Sequence, residues 1–112
     1  MGPVHLNRGL VLEGPDRQPD GAGGFVEVWG PLGTLWAEVV ARTGREVAGA
    51  TVSLSRATYR ITVRSAPQGS PARPKPGQRF RDGSRLFLIQ SVTERDAAGR
   101  FLTCWAEEEV VL

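Results

Sequence analysis

The sequence predicts a mainly all-β fold, a small antiparallel β-barrel or sandwich of six to seven strands with one short helix and two long loops. Three observations carry that expectation. Short apolar runs rich in aromatic and β-branched residues recur at intervals of about 8–15 residues. Clusters of turn-forming residues separate them, and Asp82-Gly83 between two such runs is the strongest hairpin signal. Helical spacing occurs only weakly, at Val47, Ala50 and Leu54, where Gly49 and the β-branched Thr51 and Val52 oppose it.

The elements follow in chain order. Leu6 to Glu13 places Leu6, Leu10 and Leu12 on one side and reads as the first strand, weakened by Gly9. Gly14 to Gly24 contains Pro15, Asp16, Pro19, Asp20, Gly21 and Gly23, so it is expected to be turn and loop throughout. Phe25 to Trp29 reads as a strand, Gly30 to Gly33 as a turn, and Leu35 to Val40 as a strand antiparallel to the preceding one. Thr43 to Arg56 holds the short helix and irregular chain. Tyr59 to Arg64 alternates, with Tyr59, Ile61 and Val63 inward and Arg60, Thr62 and Arg64 outward. Ser65 to Gln78 carries four prolines in fourteen residues, which excludes a strand interior and favours an extended, stiff loop. Arg79 to Arg81 and Arg85 to Val92 flank the Asp82-Gly83 turn, and Asp96 to Gly99 turns the chain into a last strand over Arg100 to Ala106. Trp29, Trp36, Phe80, Phe87, Phe101 and Trp105 are expected to supply much of the core.

Size and composition exclude several classes. A chain of 112 residues and 12.1 kDa folds to about 6,000 Å² of surface from roughly 17,500 Å², enough for one core and a single domain over residues 1–112. No stretch approaches the ~20 apolar residues of a membrane span, and residues 1–12 lack the apolar run of a secretory signal. The lone Cys104 excludes an internal disulfide and a cysteine-built zinc site, and the lone His5 removes most hydrolase triads. Gly21 to Gly24 lacks the Lys-Ser/Thr of a phosphate-binding loop and precedes a strand, so it reads as a turn. Cys104 suits a small buried hydrophobe, and Asp16, Asp20, Asp82 and Asp96 suit turns. No catalytic residues, metal site or cofactor are expected.

Charge is segregated along the chain. The net charge is only +2, yet residues 56–85 carry eight basic residues against Asp82 alone, a net of +7. Residues 86–112 are net −3, with Glu107, Glu108 and Glu109 adjacent. Such a division suits polyanion contact or charge pairing between copies of the chain. Arg60, Arg64, Arg79, Arg81 and Arg85 form a basic strand face able to touch phosphates. Stacking aromatics are not expected there, since Tyr59 lies on the other side, so partner contact is favoured over base reading.

A resemblance adds to this. Leu6-Asn7-Arg8, Gly23-Gly24 through Trp29, Leu35 through Val39 and Gly44-Arg45-Glu46 occur in order. Tyr59 through Arg64, Arg81 through Phe87 and Ile89 through Val92 follow them. Together they resemble the tailed-phage head–tail joining family, the head-closure or stopper proteins, including those of gene-transfer-agent-type particles. The Pro-rich loop and Gly49-Ala50 depart from the usual pattern.

The resemblance implies a virion component, assembled in the bacterial cytoplasm, that catalyses nothing. It implies a six-fold or alternatively twelve-fold ring below the portal and adaptor, which closes the DNA-filled head and docks the tail terminator. Packaged double-stranded DNA would be met without sequence preference, and no membrane is involved. In that setting Glu107, Glu108 and Glu109 are expected to meet arginines of the next subunit or the adaptor. The loop over residues 43–57, with Gly44, Arg45, Glu46, Val52 and Leu54, is the candidate channel gate. The loop over residues 65–78, with Pro67, Pro71, Arg73, Pro74, Lys75 and Pro76, is the candidate docking element. The alternative is a small nucleic-acid-binding β-barrel using the arginine strand face.

Overall fold

The computed structural model describes residues 3–42 and 57–109. Six strands are present: β1 (Arg8–Pro19), β2 (Phe25–Arg42), β3 (Ala57–Arg64), β4 (Arg79–Asp82), β5 (Arg85–Glu94) and β6 (Phe101–Glu109). They close into one antiparallel barrel in the order β1-β2-β3-β6-β5-β4. The all-β expectation holds. The expected short helix and the candidate gate residues Gly44, Arg45, Glu46, Val52 and Leu54 lie outside the described residues.

Strand alternation builds the core. Leu10 and Leu12, Ala37, Ile61 and Val63, Phe80, Phe87 and Ile89, and Leu102, Cys104 and Ala106 are buried together, the inward rows of a barrel small enough to be filled by side chains. An extra residue between Ile89 and Ser91 adjusts the pairing of β5 with β6. The Asp82-Gly83 hairpin forms, with Gly83 at φ 62°, a left-handed conformation that costs glycine nothing. The Asp96 turn also forms, its Oδ1 accepting from the backbone N–H groups of Arg100 and Phe101.

Three expectations are corrected. Gly14 to Pro19 is strand, not loop, and only residues 20–24 turn the chain. Gly30 to Gly33 does not turn it either: Phe25 to Arg42 is one strand of 18 residues. Pairing explains both. Gly14 to Pro19 lies opposite Phe25 to Gly30, and this ribbon extends six residue pairs past the barrel, about 20 Å at 3.4 Å per residue. There each strand has a single neighbour, so Pro15, Pro19 and Pro31 need not interrupt a ladder on both edges.

The third correction concerns the aromatics. Phe80 and Phe87 are fully buried, but Trp36 is 62% exposed, and Trp29, Phe101 and Trp105 are half-buried. Trp36 shares its strand face with Glu38 and Val40, outside the barrel, because Ala37 takes the inward position. Trp105 is likewise outward between inward Cys104 and Ala106. Conversely, Thr62 is outward yet fully buried, since the Arg95 guanidinium covers it and donates to its Oγ1 at 3.2 Å.

Candidate assembly surface

Three arginines of the basic segment, Arg79, Arg81 and Arg85, are paired with acids inside the chain. Glu13 accepts from Arg79 Nε at 2.8 Å and from Arg81 Nε at 2.7 Å, and Arg79 stacks on Trp29 with its guanidinium carbon 4.2 Å from the ring centroid. Burial alone would raise the Glu13 carboxyl. The hydrogen bonds and charges of Arg81 and Arg79 outweigh it and hold the carboxyl below its ordinary value. Arg8 pairs with Asp82. Arg85 grips Glu108 through two nitrogens, at 2.7 and 3.0 Å, and also donates to Tyr59 Oη at 3.1 Å. Tyr59 in turn sets its ring edge-on against Phe87, centroids 5.1 Å apart. Of the expected contact residues, Arg79, Arg81, Arg85 and Glu108 are therefore partnered within the chain.

Arg60 and Arg64 are placed differently. On the outer face of β2, β3 and β6, Arg60 stands between Val40 and Trp105, and Arg64 beside Phe101. Arg42 covers the Trp105 ring at 5.0 Å and Arg64 lies 5.8 Å from that of Phe101. The buried Nε of Arg60 has no hydrogen-bond partner. Leu6, Trp36 and Arg64 line a shallow depression at one end of this face. The structure thus brings aromatics from neighbouring strands to the arginine face, correcting the expectation that it lacks them. The signal was present in the sequence: Trp36 has the same strand parity as Glu38, and Trp105 the same as Glu107.

A second surface was not foreseen. The β1–β2 ribbon exposes Phe25, Val26, Val28 and Leu32. Its tip is fixed by Asp20, whose Oδ1 accepts from the N–H groups of Ala22 and Gly24 at 2.8 and 3.0 Å.

The loop over residues 65–78 is folded rather than extended. Backbone bonds from Ser70 to Pro67, Arg73 to Ser70 and Gln78 to Lys75 make consecutive turns. Pro74 is fully buried, and Arg73 Nη1 donates to the Ala66 carbonyl at 2.8 Å. Pro67, Pro71, Lys75 and Pro76 remain exposed along it. Prolines that fix φ stabilise such turns as readily as an extended run. Glu109 is exposed at the end of β6, and Glu107 stands opposite Thr58 and Leu88.

A filled antiparallel barrel with a projecting ribbon, part of its charge paired within the chain and large hydrophobic side chains of β2 exposed outside it, defines a small all-β module. The profile of the phage head completion protein family matches residues 1–109, and the chain belongs to that family, whose members are structural components of the virion. Among solved structures, a chain of the virion of a native gene transfer agent particle is 51% identical. The alignment covers 96% of this chain and 98% of that one, with a TM-score of 0.80. No curated protein sequence matches.

Proposed function

We propose that residues 1–112 act as one connector domain, a stopper that closes into a ring beneath the portal and adaptor, seals the filled head and docks the tail terminator. The observation that carries this reading is the coexistence of two unlike exposed surfaces on one small barrel. A ring closed by rotation needs a patch on each copy that meets a different patch on the next. The ribbon and the outer β2–β3–β6 face are such a pair. Family membership and the likeness to a virion chain support the head-completion setting. Six copies, or twelve, would surround the channel, and DNA would pass without base-specific contact.

The test is removal of the protein from assembling particles, read by electron microscopy and by nuclease sensitivity of packaged DNA. Heads without it are expected to lose DNA and to remain tailless. Full heads that acquire tails overturn the reading. The nucleic-acid-binding alternative draws on Trp36 and Phe101 beside Arg64, and it requires tight, salt-sensitive binding of free duplex by the isolated chain. A connector binds free duplex weakly.

A further inference from the structure

The large hydrophobic side chains exposed among the described residues, Phe25, Val26, Val28, Leu32, Trp36 and Val40, all belong to β2. One bulge divides them between two faces. Leu12 stands opposite Gly33 and Glu13 opposite Pro31, so Leu32 is an extra residue in the ladder. On the ribbon, Val26 and Val28 pair with Gln18 and Asp16, on the side that continues the inward row of Leu10 and Leu12. Leu32 reaches the same side, its Cδ1 only 3.1 Å from where a Cβ on Gly14 would stand. Past the bulge the inward positions become odd, which sends Trp36 and Val40 outward. The β2 half of the ribbon's inner side is thus an apolar strip, bordered by Asp16 and Gln18 of β1, continuous with the core but without a second layer over it, a surface that a sheet normally covers.

We propose that this strip, Val26, Val28 and Leu32, lies on Trp36 and Val40 of a second copy of the chain. The proposal rests on the ring reading above and names its mating surfaces. Charge selects this occupant. On the side of the ribbon that carries Val26 and Val28 the charged residue is Asp16, Arg17 and Glu27 pairing on the other side and Asp20 standing at the tip, whereas the receiving face carries Arg42, Arg60 and Arg64 against Glu107. Glu38 on that face is already tied to Arg95. Ribbon against ribbon would set acid against acid, so the two-fold alternative is disfavoured. Because the two patches face opposite sides of the same strand, each copy offers one and receives the other, a head-to-tail contact that gives a ring where its rotation closes and that is not a two-fold dimer.

The test uses two full-length variants: Val26→Asp with Val28→Asp on the ribbon, and Trp36→Asp on the receiving face. All sites are exposed, and thermal unfolding checks that each variant folds. At concentrations where the wild type sediments as a ring, each variant alone is expected to be monomeric. Their equimolar mixture is expected to form a one-to-one dimer and nothing larger, because it contains a single intact ribbon–face pair. Arg64→Glu, which keeps the apolar contact, is expected to slow assembly on the order of tenfold at low salt. Rings formed by either folded variant, or a mixture that stays monomeric, overturn the proposal while leaving the ring reading intact. Variants that ring normally but fail to join heads or tails assign the patches to another virion protein and also overturn it. A wild type that forms no ring, free or on particles, overturns both.

Discussion

Arg85 holds Glu108 in a two-pronged pair, Nε to Oε2 at 2.7 Å and Nη2 to Oε1 at 3.0 Å. The acidic end of the chain and its arginine-rich middle are thereby joined within one molecule. Glu108→Ala should destabilise the isolated chain by about 1–2 kcal/mol, less than a fully buried pair because the arginine remains partly open to water. Urea unfolding measures it. Reversing Glu109, exposed at the end of β6, while leaving Glu108 separates contact between copies from internal stability. No stability loss in Glu108→Ala would show that the pair contributes only alignment.

Acid should unfold this protein through Glu13 and Glu108. Both carboxyls titrate below the ordinary glutamate value of 4.5: Glu13 because its arginines outweigh burial, Glu108 chiefly because Arg85 donates to it. A lowered native value means that the stability they add is fully present above 4.5 and is lost as pH falls through the native values. The urea midpoint should be flat between about pH 7 and 5.5 and fall below about 4.5. The double variant Glu13→Gln, Glu108→Gln should start lower at neutral pH and lose less in acid. An unchanged acid limb in that variant would place the acid sensitivity elsewhere.

Cys104 should be inert until the barrel opens. It is fully buried, and desolvation pushes its thiol up to about 12, so the thiolate is scarce at neutral pH. A disulfide reagent at pH 8 should modify it at the rate of unfolding, accelerating in urea along the unfolding curve. Modification of the native chain within the mixing time would mean that β6 opens locally.

The sequence made the barrel legible where local chemistry and pairing agree. Asp82-Gly83 and Asp96 to Gly99 announce turns, and both turns form, because the side chain and glycine act within a few residues. The ribbon was hidden for the opposite reason. Pro15, Pro19, Gly30 and Pro31 look like loop residues, but pairing of Gly14 to Pro19 with Phe25 to Gly30 overrides propensity where a strand needs only one neighbour. The candidate surface was half legible. Arg60 and Arg64 follow from alternation on β3, whereas which arginines are already paired depends on contacts such as Glu13 with Arg79, 66 residues apart. No local pattern encodes those.

Aromatic residues should divide into two functional groups that composition alone merges. Phe80 and Phe87 are fully enclosed, so Phe80→Ala or Phe87→Ala should cost about 3–5 kcal/mol and leave little folded chain to assemble. Trp36 is 62% exposed and rests over Gly9, where ring atoms come within 3.8 Å of a Cβ placed there. Trp36→Ala should therefore cost about 1 kcal/mol or less in the isolated chain. Its effect should appear in ring formation, read by sedimentation alongside urea unfolding of the same preparations. A Trp36→Ala chain as unstable as Phe80→Ala would make the tryptophan part of the barrel's own packing, and a variant that is stable and still assembles would leave its exposure without a role between copies.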